Sequence, residues 1–210
     1  MKSFYISLFI GLVLWLPSFT AGAKQSPKKP NIIFILADDL GRHQIGAYGS
    51  TFYETPHIDK LAKNGLKFSN AYAASPVCSP TRASIMTGKH PARLHLTDYI
   101  PGRSPKNSKL ITPDWKKELP LGEVTIAEVL KDAGYATGHF GKWHLNKDKK
   151  YKLARPGDPG SQGFGDVLTT HKPGAGPKSK FDEDWHHVRE ITERSLAFIK
   201  KNKDQPFFCY

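Results

Sequence analysis

Three short stretches of the chain hold side chains whose types and spacing could do chemistry. Cys78 stands just before a stretch of helical character that opens Ser79-Pro80, and Arg82 follows four residues later, one helical turn away. A helix N-terminus carries a partial positive charge, so this position favours an anion. Taken alone the pattern describes a thiolate nucleophile, although a lone cysteine before a helix is more often a packed small hydrophobe. Asp38 and Asp39 end an apolar run and offer hard oxygen ligands for a divalent cation; a cap or a solvated turn uses the same pair. Lys142 and His144 lie two apart, so on an extended segment both point the same way. Lysine there suits a fixed cation for an anionic group, and histidine suits acid–base work. Without further context such a pair is more often exposed loop.

The elements that must position these residues follow from periodicity and punctuation. Asn31 to Ala37 is a continuous β-branched and aromatic run, which predicts a central strand buried on both faces of a parallel sheet. Its carboxyl end is where ligands bind in open α/β sheets, and Asp38-Asp39 sit there. Thr55, Pro56 and Gly65 bracket a helix, and Gly88 stops the one that begins near Ser79. A third helix runs from Thr125 to Ala133, with Thr125 and Glu128 as a capping box. Tyr135 to Phe140 reads as a short strand entering Gly141-Lys142-Trp143-His144. Pro-Gly pairs make Lys147 to Lys180 loop-like, Asp184 to Lys201 returns to helical spacing, and Pro206 to Tyr210 opens another buried strand. Strands alternating with helices imply an α/β fold with a largely parallel sheet.

Composition limits the alternatives. With 210 residues and 39% apolar content the chain can build one core, which excludes wholesale disorder. Two cysteines exclude a disulfide framework, and no zinc spacing is present. The formal net charge of +12 fits an anionic partner or substrate. Nucleic acid is not expected, since there is no basic helix or interleaved aromatic platform. Lys2, the apolar run Ile6 to Leu16 and Ala21-Gly22-Ala23 form a signal peptide over residues 1–23, too short to span a bilayer comfortably. Export to the periplasm or outside the cell is expected, with no stable membrane anchor. A chain that stops within an apolar strand is expected to be the front part of a longer protein, truncated at Tyr210.

Cys78-Ser79-Pro80-Thr81-Arg82 resembles the Cys-x-Pro-x-Arg signature of the sulfatase family, whose cysteine is converted to formylglycine. Pro30 to Gly41 resembles the family's opening strand and metal-binding acidic pair. Thr55-Pro56-His57-Ile58-Asp59-Lys60-Leu61-Ala62 is similar to its Thr-Pro-Asn-Ile-Asp-x-Leu-Ala helix, and Ala133 to Leu145 to its Gly-Lys-Trp-His-Leu segment. These four segments fall in family order, and weaker similarity continues through Gly163-Phe164 into the final strand. Thr81 stands where serine or alanine is common, and Asn146 where many members have glycine.

The resemblance implies an alkaline-phosphatase-like α/β fold, with residues 24–210 as the incomplete N-terminal part of a catalytic domain. It implies hydrolysis of sulfate esters, of sulfated small molecules or polysaccharides, after a maturation enzyme has converted Cys78. A geminal diol at position 78 would attack sulfur through one hydroxyl, and the other would lose its proton so that sulfate is expelled. Asp38, Asp39 and position 78 would hold one divalent cation, by similarity calcium. Arg82 would orient the hydrate, Lys142 would bind sulfate and His144 would serve the formylglycine hydroxyl. The family's later metal and sulfate ligands are not found in these 210 residues, so this piece alone is expected to be inactive. Two rival readings are a formylglycine-dependent phosphonate or phosphate ester hydrolase, and an exported non-catalytic binder of sulfated polysaccharide. His95 and Asp98 are further pocket candidates, with a structural role equally expected.

Overall fold

The computed structural model describes residues 29–102, 107–147, 152, 155–170, 184 and 186–210. The signal peptide read at residues 1–23 lies outside them. Four strands, β1 (Ile32–Ile33), β2 (Ala136–Gly141), β3 (Asp166–Thr169) and β4 (Phe207–Cys209), form one sheet in the order β1-β4-β2-β3. Every pairing is parallel: Ile32 faces Phe208, Thr137 faces Phe208, and Phe140 faces Leu168. Five α-helices accompany it, α1 (Pro56–Asn64), α2 (Cys78–Thr87), α3 (Pro91–Leu94), α4 (Ile126–Asp132) and α5 (Val188–Asn202).

The pleat sends alternate residues of β4 to opposite faces. Phe208 joins Ala83 and Met86 of α2, Ala127 of α4, and Trp143, Leu145 and Phe164 in one cluster. Phe207 and Cys209 turn the other way, onto Phe140 and onto Phe198 of α5. Helices therefore cover both faces, which is the burial a parallel sheet requires.

Local chemistry explains the helix ends. Thr125 Oγ1 accepts from the Glu128 N–H at 3.2 Å, and the Glu128 carboxylate accepts from the Thr125 N–H at 2.7 Å. The same threonine hydroxyl donates to the Gln162 carbonyl at 2.8 Å, tying α4 to the turn before β3. Gly163 completes that turn with φ +97°, and a Cβ there would lie 2.4 Å from the Glu128 backbone nitrogen. Helix α5 starts four residues later than the spacing predicted. His187 is left-handed (φ 58°), and the Asp184 carboxylate caps the Arg189 and Glu190 N–H groups from outside the helix.

Three expectations are corrected. Among the described residues the apolar run from Asn31 is not a central strand: Ile32–Ile33 pair with β4 at the sheet's edge, Phe34 N–H adds a bond to the Cys209 carbonyl at 2.8 Å, and Ile33 is 53% and Ile35 82% exposed. Hydrophobicity marks a strand that is to be covered, but not which neighbours cover it. Among the described residues β1 has one partner, β4. The stretch read as loop from Lys147 to Lys180 contains β3, whose four residues are too short for periodicity to reveal. Helix α3 was hidden for the same reason.

Candidate active site

Because all four strands run the same way, their carboxyl ends share one edge of the sheet, and the candidate residues gather there. Asp38 and Asp39 follow β1, with Asp39 in the left-handed region at φ 57°, which aspartate tolerates better than most residues. Cys78 is the first residue of α2 rather than its predecessor; Val77, in extended conformation, is the cap. Its half-buried thiol thus stands at the positive end of a ten-residue helix. One ligand atom from each of Asp38, Asp39 and Cys78 lies within 4.8 Å of the others.

Lys142 follows β2 and reaches both groups. Its ammonium donates to Asp38 Oδ2 at 2.6 Å and to Cys78 Sγ at 3.2 Å. Arg82 is no surface arginine, for its side chain is 5% exposed. One terminal nitrogen donates to Asp38 Oδ1 at 2.9 Å; the other donates to the Lys142 carbonyl at 2.6 Å and approaches the Tyr210 hydroxyl at 3.4 Å. A single planar guanidinium thereby ties together the ends of β1, β2 and β4. Burial alone would raise the Asp38 pKa, but hydrogen bonds and charge from Lys142 and Arg82 outweigh it and hold the carboxyl below its ordinary 3.8.

His144 comes to the site by another route than the spacing implied. Strand β2 ends at Gly141, and His144 is left-handed (φ 58°), so the two-residue alternation does not carry through. Its Nε2 pairs with the Ile100 carbonyl at 2.6 Å, while the Ile100 N–H donates to Ser79 Oγ at 3.0 Å. His144 is thereby linked to the first turn of α2, next to Cys78.

Sequence reasoning missed Tyr210. It sits at the carboxyl end of β4, and burial raises its hydroxyl pKa although the neighbouring Arg82 pulls it down. Its place at a strand end between those of β1 and β2 was the only available signal, and the order of the strands was needed to use it. His139, given no chemistry from sequence, is fully buried beneath the site and stacks on Tyr210 at 5.3 Å. Burial and the nearby Arg82 charge push its pKa down to about 3, so it is a neutral ring. His95 and Asp98 make structural contacts: the His95 carbonyl accepts from the Lys116 N–H across the chain, and Asp98 Oδ1 accepts from the adjacent Tyr99 N–H.

The two carboxylates of Asp38 and Asp39 fit a hard divalent cation, and the side chain at position 78 lies within reach of the same ion. Two fixed cations beside Cys78 suit an anionic substrate.

The molecule resembles known proteins on this same ground. An N-acetylgalactosamine-6-O-sulfatase of Bacteroides thetaiotaomicron is 47% identical over 126 residues, 60% of this chain and 22% of that protein. An arylsulfatase of Hemicentrotus pulcherrimus is 32% identical over 208 residues, 87% of this chain and 36% of that protein. A solved Bacteroides thetaiotaomicron chain, described under the metabolism of multiple glycosaminoglycans, superposes with a TM-score of 0.66 at 30% identity, covering 87% of this chain and 50% of that one. The chain spans 22% and 36% of the length of those two curated relatives. The family model described as Sulfatase matches residues 30–210, a stretch that takes in every strand of the sheet and every residue of the cluster around Cys78, and the chain belongs to that family.

Proposed function

We propose that the protein hydrolyses sulfate esters of carbohydrates and releases free sulfate, after conversion of Cys78 to formylglycine. The observation that carries this reading is the placing of Lys142 Nζ, 3.2 Å from Cys78 Sγ and 2.6 Å from Asp38. It is a fixed positive charge between the position of the nucleophile and a metal-type carboxylate.

Formylglycine at position 78 supplies a geminal diol, one hydroxyl to attack sulfur and the other to let sulfate depart. A divalent cation, calcium by family resemblance, would be held by Asp38, Asp39 and position 78, where it supplies charge to neutralise sulfate oxygens. Lys142, held between Asp38 and position 78, binds the sulfate and screens its charge from Asp38. Arg82, with its donors already committed to Asp38 and the Lys142 carbonyl, fixes both groups and adds positive field. The helix dipole of α2 favours the anion at its first residue. His144, anchored through Ile100, holds or delivers the proton at the hydroxyl of residue 78.

The substrate class rests on relatives named for N-acetylgalactosamine 6-O-sulfate and glycosaminoglycans, and on the net charge of +12, which favours an anionic polymer. The reading includes export, by the signal peptide at residues 1–23, and an encounter with a maturation enzyme. Among the described residues no helix is long and apolar enough to cross a membrane.

The deciding experiment is mass spectrometry of the tryptic peptide from Phe68 to Arg82, from cells carrying the maturation enzyme, followed by sulfate release from sulfated N-acetylgalactosamine by the chain extended to the length of its relatives. Aldehyde oxygen in place of the Cys78 sulfur, with release of sulfate faster than of phosphate from matched aryl esters, is the expected result. Unmodified thiol, with a control sulfatase fully converted in the same cells, would overturn the reading in favour of a binding role.

A further inference from the structure

One buried carboxylate lies outside the cluster around Cys78. Asp158 is 3% exposed. Its Oδ1 accepts from Arg155 Nη2 at 2.8 Å and from Asn146 Nδ2 at 3.1 Å, and its Oδ2 accepts from the Lys152 N–H at 2.8 Å. A charge at that depth needs such pairing. Two of the three bonds are local to the turn. The third crosses to the segment that carries Lys142 and His144.

A second tie runs beside it: the Trp143 indole N–H donates to the Gly157 carbonyl at 2.8 Å in a buried bond. Gly157 is itself left-handed (φ +81°), and a Cβ there would lie 3.1 Å from Asn146 Nδ2. Glycine at that place leaves the amide room to reach Asp158. Between the two ties stands His144, whose left-handed backbone is strained in a residue with a side chain and persists only when its surroundings over-determine it.

We propose that Asn146 and Asp158 form a buckle, closed by the 155–158 turn, that positions Lys142 and His144 for sulfate-ester hydrolysis. Both are positioning residues, and their role in turnover rests on the sulfatase reading above. The buckle also accounts for the departure from the family pattern at 146. A glycine after Trp-His-Leu has no side chain to tie down; here asparagine supplies the donor and Asp158 the buried acceptor.

Two variants test it. Asn146→Asp keeps the shape but sets a second carboxylate against Asp158. The double variant Asn146→Asp with Asp158→Asn exchanges amide and carboxylate and restores a donor–acceptor pair. The first readout uses the 210-residue chain: amine acetylation of Lys142, quantified by peptide mass spectrometry against Lys89, whose ammonium pairs with Glu123 rather than with a residue of the buckle. In Asn146→Asp the Lys142-to-Lys89 ratio should rise about fivefold as the segment opens locally, and in the exchanged pair it should return to within about twofold of the parent. Asn146→Ala, which deletes the donor without adding charge, reads the same ratio should Asn146→Asp fail to fold. The second readout is turnover by the formylglycine-bearing, sulfate-releasing enzyme: kcat should fall about 10–100-fold in Asn146→Asp, with KM within about threefold, and recover in the exchanged pair. An unchanged labelling ratio in the single variants, or no recovery in the exchanged pair, would overturn the buckle. A parent extended to the length of its relatives that carries formylglycine yet releases no sulfate would overturn the sulfatase reading instead, and the labelling ratio would still decide the buckle.

Discussion

Replacing Arg82 by lysine keeps the charge and removes the fork. The guanidinium reaches Asp38 and the Lys142 carbonyl at once through two different nitrogens, at 2.9 and 2.6 Å, from a side chain only 5% exposed. An ammonium at the same depth is a point donor on a different stem and holds one of those partners in good geometry. The variant therefore loses one hydrogen bond involving a charged group, worth about 1.5–3 kcal/mol. The Lys142 carbonyl, if it is the one released, adds a desolvation cost of about 1 kcal/mol. Asp38 is 41% exposed and keeps Lys142, so water offsets its share, and the lower half of the range applies. The expected destabilisation is about 2–3 kcal/mol out of a total of about 5–15 kcal/mol for a domain. Urea unfolding followed by tryptophan fluorescence should show the midpoint falling by about 1–1.5 M, at a slope near 2 kcal/mol/M that the substitution leaves unchanged. A midpoint within about 0.2 M of the parent would refute the claim that Arg82 ties the strand ends. A changed slope would mean that the unfolded or native ensemble had moved instead.

Further outcomes follow from the same geometry. Asp38 is held below its ordinary 3.8, so it contributes stability that is present above that pH and lost as pH falls through its folded value. Asp38→Asn should flatten the acid limb of stability below pH 3.8, read as urea midpoints across pH. The two cysteines should separate by reactivity: Cys78 is half-buried, whereas burial pushes the Cys209 thiol up to about 11 despite a hydrogen bond with Ser195. A thiol-disulfide reagent at neutral pH should titrate one thiol in the native chain and two in urea, and after conversion of Cys78 none and one. Thr125→Ala removes the cap and the bond to Gln162 and should cost about 1–2 kcal/mol by thermal unfolding.

The legible parts of the molecule were those with local punctuation. Thr125 with Glu128, and Pro56 with Gly65, mark helix ends by chemistry that acts over four residues, and the structure keeps those ends. Asp38 was legible because a strand that stops abruptly in charged residues predicts a carboxyl-edge site in a parallel sheet, whereas Cys78 and Lys142 were singled out by the resemblance of their segments to the family's motifs. What was not legible depended on partners far along the chain. Whether the run from Asn31 lies at the centre or the edge depends on what pairs with it. The turn at His144 is set by Trp143 and Asn146 reaching the 155–158 turn, and Tyr210 matters only because β4 lies between β1 and β2. Each of these is a contact across sequence, where the composition of one segment is silent.

The strand order carries a consequence for time as well as space. Of the four described strands the last to be made, β4, separates β1 from β2, so Asp38 and Lys142 take this relation only when Phe207–Cys209 have been synthesised and inserted. About 130 residues separate Cys78 from that strand, which at about 5–20 residues per second is about 6–26 s of elongation. For that interval Ala83 and Met86 of α2 lack Phe208, one of the side chains in whose cluster they lie. The packing around α2 that holds Cys78 is therefore complete only when β4 closes the sheet's middle.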